Sequence, residues 1–178
     1  MSLRGVAEAI YILWYRLLCR KPPRNDSSNA YPRGYSFSIM SESSHEFGYV
    51  YACYDPAIRD GVLKYCEKRF GKGNYFFDTD PGAARNLAHP RKESDADFVM
   101  WKMRLAAKVH PYTHLLLINH SICGAYADAG IIFESADAEQ ARHKNDLEHA
   151  ADLLKSKLPA GIKIETRYFL KKEQQFAW

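Results

Sequence analysis

The chain is organised around one stretch, Leu115-Leu116-Leu117-Ile118-Asn119-His120-Ser121-Ile122-Cys123-Gly124-Ala125, in which an apolar run ends abruptly in His-x-x-Cys and a glycine. The apolar run is short and does not alternate with polar residues, which predicts a strand buried on both faces, as in a parallel sheet. Because His120 and Cys123 follow the end of that strand, both side chains can point at one metal ion.

A second strand-like run lies well upstream, at residues 47–52, and is followed by Cys53-Tyr54-Asp55. Ligands of parallel sheets bind at the carboxyl ends of the strands, where Cys53 and His120 are both predicted to lie. Thiolate and imidazole ligands favour zinc over magnesium or calcium, and three protein ligands are typical of a catalytic zinc site. Taken singly, each cysteine also fits a buried apolar role and His120 fits a core histidine. Their joint occurrence favours a Zn2+ site made by Cys53, His120 and Cys123.

Asp55 has two interpretations, because the next residue is Pro56. An aspartate before a proline caps the start of a helix, which explains Asp55 without any chemistry. In a zinc site the same carboxylate orients the bound water, accepts its proton, or takes the fourth coordination position itself. A competing chemistry makes Cys123 a thiolate nucleophile activated by His120, but the sequence marks no third orienting group and no oxyanion hole.

The chain from residue 47 onward alternates between strand patterns and helix patterns. The predicted strands are 47–53, 74–78, 115–118 and 162–168, and the predicted helices are 56–70, 94–109 and 135–158. Residues 79–90 are predicted to form a loop, and His143 and His149 are predicted to be solvated or capping residues on an outer helix. The alternation predicts an α/β fold with a mainly parallel sheet of about four strands flanked by helices.

Residues 1–39 are predicted to form an N-terminal amphipathic helix and a linker, and residues 40–178 the zinc-binding α/β domain. Apolar residues between Val6 and Leu17 recur at helical spacing, which predicts a helical arm. The apolar run is too short to span a membrane and has no signal-peptide cleavage site. The arm can pack on its own domain, on a partner subunit or on a membrane surface, of which packing on protein is the preferred prediction.

Composition narrows the class of protein. Of the 178 residues, 47% are hydrophobic and 13% are aromatic, which predicts a globular fold. The net charge of +4 is scattered without a basic stripe, so nucleic-acid binding is not expected. The four cysteines are widely and irregularly spaced, which favours reduced thiols and a cytoplasmic location.

The order of the two motifs, Cys-x-Asp and then His-x-x-Cys-Gly, resembles the pattern of the β-class carbonic anhydrase family. In this chain the matching residues are 53–55 and 120–124. Residues 81–86, Pro-Gly-Ala-Ala-Arg-Asn, occupy the place of the family's glycine-containing loop between the motifs. The resemblance spans roughly residues 47–170 and implies a β-carbonic-anhydrase-like fold.

The resemblance also implies a function. Cys53, His120 and Cys123 would be the zinc ligands, and Asp55 the catalytic or gating carboxylate. The reaction would be the reversible hydration of carbon dioxide by zinc-bound hydroxide. The family further implies a homodimer or higher homo-oligomer, with an active site near the subunit interface and N-terminal arms that embrace the partner.

Two positions depart from the family pattern. The family's arginine, two residues after the aspartate, is Ala57 here, so Arg59, one helical turn after Asp55, is predicted to replace it as a catalytic partner of that carboxylate. Ile122 stands where the family usually has a small or polar residue. Relatives with this fold act on carbonyl sulfide or carbon disulfide, so such an analogue is a second candidate substrate. A non-catalytic zinc-binding or interaction protein on the same fold is the alternative function.

Overall fold

Residues 46–178 are described by a computed structural model of the protein. The predicted helical arm and the linker lie outside the described residues, so the division of the chain at residues 39 and 40 stays a prediction. Within the described part of the chain, no helix is long and apolar enough to cross a lipid bilayer.

The described residues form five strands and five helices, in alternating order along most of the chain. The strands are β1 (Gly48–Ala52), β2 (Tyr75–Thr79), β3 (His114–His120), β4 (Lys163–Leu170) and β5 (Gln175–Phe176). The helices are α1 (Pro56–Phe70), α2 (Arg85–Ala88), α3 (Glu93–Val109), α4 (Gly124–Asp128) and α5 (Ala136–Lys157).

The strands make one sheet in the order β2-β1-β3-β4-β5. The first four are parallel, and β5 pairs with β4 in the antiparallel direction. This confirms the predicted α/β fold with a mainly parallel sheet. From β1 the chain continues to β2 on one side, whereas β3 lies on the other side of β1. The topological switch point therefore lies between β1 and β3, where ligands of open α/β sheets bind.

The central strands form the core because they are apolar on both faces. β1 and β3 are buried along their whole length, as the unalternated run at residues 115–118 predicts. Ala52 pairs with Ile118, so the residues that follow the two strands emerge together at the same edge of the sheet. Each fully buried valine, leucine or isoleucine of these strands stabilises the fold by roughly 1.5–3 kcal/mol relative to exposure.

Helix α1 begins where the sequence places it. The Asp55 side chain accepts a hydrogen bond from the Ala57 amide, 2.9 Å away, and Pro56 is the first helical residue. The buried face of α1 packs closely on β4 at Gly61, where an added Cβ would lie 2.5 Å from the Phe169 ring. Only glycine fits that position without displacing the ring, so α1 and β4 are held at short range.

Two short elements differ from the sequence prediction. The predicted loop at residues 79–90 contains helix α2, and the tail beyond the fourth strand adds β5 as a fifth strand. Both elements are too short to repeat a hydrophobic period, which is the signal on which the predictions depend. The fourth strand also extends to Leu170, two residues beyond its predicted end.

Candidate metal centre

Three buried side chains converge at the switch point between β1 and β3. The sulfur atoms of Cys53 and Cys123 are 3.9 Å apart, and a ring nitrogen of His120 completes a group whose ligand atoms all lie within 4.8 Å of one another. A tetrahedral zinc ion with Zn–S bonds of about 2.3 Å separates two sulfur ligands by about 3.8 Å. The spacing of the two thiols therefore fits a metal of this size without rearrangement.

The His120 ring is held in one tautomer. Its Nδ1 lies 2.9 Å from the Ser121 carbonyl oxygen, and because a carbonyl can only accept, Nδ1 carries the proton. The lone pair is then on Nε2, which is buried and makes no hydrogen bond to any of residues 46–178. An unpaired buried nitrogen is costly, and a metal ion beside the two thiols would satisfy it. The donor set and this nitrogen together fit a metal ion.

The two thiols share a hydrogen bond that favours one thiolate. The hydrogen bond between the Cys53 and Cys123 sulfurs, together with the Gly82 amide, outweighs burial and lowers the pKa of Cys53 well below its ordinary value. The same bond and burial raise the pKa of Cys123. The thiolate is the form that binds a metal, so the Cys53 sulfur is prepared for coordination.

The loop after β2 approaches the site at Gly82. The Gly82 amide lies 3.4 Å from the Cys53 sulfur, and the residue has φ +76°, in the left-handed region. An added Cβ would lie 3.0 Å from the Cβ of Ala125, on helix α4. A glycine is required here by both the conformation and the close approach.

Asp55 lies beside this group but outside it. Its Oδ1 accepts the Ala57 amide, and its Oδ2 lies 2.8 Å from the Lys171 ammonium. Burial opposes ionisation of the Asp55 carboxyl, but Lys171 and the Ala57 amide outweigh it and lower the pKa of Asp55 below its ordinary value. The structure thus gives Asp55 the helix-capping role and a charged partner at once.

The charged partner differs from the one predicted. Arg59 is exposed and makes no hydrogen bond to Asp55 within the described chain; it lines a cavity of about 320 Å3 together with Cys53 and Asp55. Lys171 takes the predicted place of Arg59 beside the carboxylate. The signal that would have found Lys171 is its position directly after β4, because all parallel strands end at the edge where the site lies.

A larger cavity of about 770 Å3 opens over the same residues. Cys53, Asp55, Arg85 and Gly124 are among the residues that line it. Arg85 is only 9% exposed, and its Nε makes no hydrogen bond to the described residues. Arg85 lies in the stretch that matches the family's glycine-containing loop, and the sequence pattern predicted no role for it. A buried guanidinium gives the cavity a positive charge that favours small anions.

Ile122, between the two predicted ligands of the second motif, has φ +57° and is 52% exposed. This conformation is strained for a β-branched residue and persists only where the surroundings enforce it. Its amide donates to Glu139 Oε1, 2.6 Å away, on α5. The strained turn brings His120 and Cys123 to the same side of the chain, so the departure at Ile122 is accommodated in the backbone.

A buried chain of hydrogen bonds connects Asn119, the residue before the His-x-x-Cys motif, to helices α4 and α5. The Asn119 side chain accepts the Ala84 amide at 3.3 Å and donates to the Tyr126 hydroxyl at 3.1 Å. Tyr126 in turn donates to Asp146, a fully buried carboxylate that also accepts from Arg142 at 2.9 Å. The chain of bonds fixes the end of β3 against α4 and α5.

His143 contradicts its prediction as a solvated or capping residue, whereas His149 is exposed. The His143 ring is fully buried, 4.1 Å from the Tyr126 ring and 5.2 Å from the Tyr168 ring. Burial, with the charges of His120 and Arg142, lowers the pKa of His143 to about 3. His143 is therefore a neutral core residue near the site.

The fold has known counterparts among solved structures. One of two tetrameric β-carbonic anhydrases from the filamentous ascomycete Sordaria macrospora aligns over 97% of this chain and 94% of its own, with 12% identity and a TM-score of 0.56. A carbonic anhydrase from Streptococcus mutans aligns over 99% and 96%, with 12% identity and a TM-score of 0.50. Neither a protein-family model nor a curated protein matches the sequence.

The class that these observations define is an α/β protein with a candidate metal centre at the switch point of its sheet. The chain has the β-carbonic anhydrase fold, with a sequence that has diverged far from those of the two similar enzymes. At 12% identity the likeness establishes the fold, and the chemistry has to be argued from the site.

Proposed function

We propose that the chain is a zinc enzyme that catalyses the reversible hydration of carbon dioxide, or of a close analogue such as carbonyl sulfide. Cys53, His120 and Cys123 are the proposed zinc ligands. The observation that carries the proposal is the buried, unpaired Nε2 of His120 beside two thiols 3.9 Å apart. When bound there, zinc would supply a water acidic enough to act as a nucleophile near neutral pH.

Asp55 is the proposed catalytic carboxylate. It is ionised, it lines the cavity above Cys53, and its two oxygens are fixed by Ala57 and Lys171. A carboxylate held in this way can orient the attacking water and accept its proton. Arg59 stays a predicted catalytic residue on the smaller cavity, where its charge favours an anionic product, and Arg85 adds a second positive charge on the larger cavity.

The test combines metal analysis with stopped-flow hydration of carbon dioxide. We expect one zinc per chain and a zinc-dependent rate, both lost in Cys123→Ala. The matched control is Cys66→Ala, because Cys66 is equally buried but lies on α1 away from the site, and this variant should keep both properties. Absence of zinc from protein prepared without chelator would overturn the proposal. Stoichiometric zinc without any hydration rate, of carbon dioxide or carbonyl sulfide, would favour the non-catalytic zinc-binding alternative.

We also propose a homodimer or higher homo-oligomer in the cytoplasm. The Sordaria macrospora enzymes are tetrameric. In this chain α3 presents a row of exposed apolar side chains at helical spacing, beside a cavity of about 380 Å3 against β2; they are Phe98, Trp101, Leu105 and Val109. Sedimentation should give at least a dimer, and Trp101→Glu should shift it toward monomer.

The three free cysteines of the described residues are in keeping with a reducing compartment.

A further inference from the structure

We propose that Lys171 is a positioning residue that holds Asp55 away from the metal position and so keeps the fourth coordination position open. This inference rests on the zinc site proposed above. The lysine acts through Asp55, since its ammonium lies 2.8 Å from Asp55 Oδ2. Lys171 thereby takes a task that the sequence assigns to an arginine on α1.

Both oxygens of Asp55 are engaged in this arrangement. Oδ1 accepts the Ala57 amide at 2.9 Å, and Oδ2 accepts Lys171. The Asp55 and Lys171 side chains are 18% and 28% exposed, so solvent screens the pair less than it screens an ion pair on the open surface. A capping aspartate needs only the amide bond, which fixes one oxygen. The bond to Lys171 fixes the other, so the carboxylate cannot turn toward Cys53 and His120 without losing a charged partner.

Lys171 is itself anchored to the loop that carries the metal ligands. Its amide donates to the Ser121 hydroxyl, 2.9 Å away, and the Ser121 amide donates to the Phe169 carbonyl at 3.0 Å. Ser121 lies directly after His120 in the sequence. The position of the lysine is therefore tied to the position of the histidine, which is what a residue that sets the distance between Asp55 and the metal requires.

The turn that follows Lys171 is tied to helix α1 as well. The Gln174 side-chain amide donates to the Lys171 carbonyl at 2.6 Å and to the Ala57 carbonyl at 3.0 Å. Gly61 lies nearby on α1 and permits the close approach of Phe169, since an added Cβ would lie 2.5 Å from that ring. The turn at residues 171–174 is thus hydrogen-bonded both to the loop that carries the metal ligands and to the first turn of α1.

The experiment uses the cobalt-substituted protein, because the visible spectrum of Co2+ reports its coordination. In the unaltered protein, added thiocyanate should enter the open position and change the spectrum. In Lys171→Met we expect a different starting spectrum, little response to thiocyanate and tighter cobalt binding than in the unaltered protein, because the released Asp55 becomes a fourth ligand and closes the tetrahedral site. The double variant Asp55→Asn with Lys171→Met replaces the carboxylate by a neutral amide, which is a poor metal ligand. This variant should therefore recover the response to thiocyanate.

Two further variants make the result specific. Lys172→Met removes the adjacent charge, which is exposed and makes no ion pair within the described residues, and it should behave as the unaltered protein. Lys171→Arg keeps a cation and should keep the fourth position open. Its comparison with Lys171→Met separates the loss of the charge from the effect of any substitution at this position. If Lys171→Met binds cobalt with the same spectrum, affinity and thiocyanate response as Lys172→Met, the positioning role is overturned while the zinc function stands. If the unaltered protein binds neither zinc nor cobalt, the proposed function fails and the role of Lys171 with it.

Discussion

Two buried histidines mark the two ends of β3, and their surroundings differ. His114, at the amino end, has its Nε2 3.1 Å from Glu46 and its Nδ1 3.0 Å from the Thr113 hydroxyl. His120, at the carboxyl end, has a partner for Nδ1 but none for Nε2 among residues 46–178. Residue type, strand and burial are the same, so none of these properties separates a structural histidine from a metal ligand.

The difference lies in which polar atoms are already paired. At the amino end of the sheet the charged groups neutralise one another, as in the bonds of Arg69 to Glu46 and to Glu165, each 3.1 Å. At the carboxyl end the His120 Nε2 has no hydrogen-bond partner among the described residues, and it lies beside two thiols at the edge of an open cavity. An unsaturated buried site at a topological switch point is the pattern expected of a ligand site.

The first prediction tests this comparison between the two histidines directly. His120→Ala should weaken zinc binding by more than about 100-fold, because it removes one of three protein ligands. His114→Ala should leave zinc affinity unchanged. Competition with a chromophoric chelator measures both constants. Equal zinc affinities for the two variants would show that the unpaired nitrogen does not bind the metal.

Asp55→Asn should lower the turnover of the zinc-loaded protein by about 10²–10⁴-fold while zinc stays bound, since an amide cannot accept the proton. Stopped-flow rates and metal content measure the two quantities. Asp128→Asn is the matched control, because Asp128 lines the same cavity but is exposed and paired with Arg91. An unchanged rate in Asp55→Asn would reduce Asp55 to a helix cap.

A smaller effect is expected at the amino end of the sheet. His114→Ala should lower the free energy of unfolding by about 2 kcal/mol, because it removes a buried ring and leaves the Thr113 hydroxyl without its partner. Urea denaturation measures the difference. A large loss of turnover in folded, zinc-loaded His114→Ala would contradict a purely structural role for His114.

The last prediction concerns His143, whose two ring nitrogens both lack hydrogen bonds to the described residues. Its pKa, near 6.5 in the unfolded chain, is about 3 in the fold, because of burial and the charges of His120 and Arg142. The unfolded state therefore binds the proton first, and the free energy of unfolding falls by up to about 1.4 kcal/mol per pH unit as pH drops from 6.5 toward 3.

His143→Phe should remove most of that slope and keep zinc, whereas His149→Phe, on the exposed face of the same helix, should keep the slope. Urea denaturation between pH 7 and pH 4 measures it. Release of zinc in acid affects both variants alike, so their difference isolates His143. Equal slopes would assign the acid sensitivity to other groups.

The sequence was sufficient for the four parallel strands of the sheet and for the three converging side chains. The apolar run of β3 and the alternation of strand and helix patterns are strong periodic signals, and the ligand positions follow from where parallel strands end. Lys171 was not predicted, because the i, i+4 spacing that favoured Arg59 applies only within one helix. Lys171 lies 116 positions from Asp55 along the chain. The prediction for His143 was wrong because its helix was taken as an outer one, although His143 lies one turn before the buried Leu147.

The link between Asp55 and Lys171 also orders the assembly of the site in time. A chain made from its amino end has Cys53, His120 and Cys123 before the strand that presents Lys171 exists. A chain that ends at Leu170 would contain all three ligand residues but would lack the cation that pairs with Asp55. The metal centre and the control of its fourth position thus belong to different parts of the nascent chain, and the second is added last.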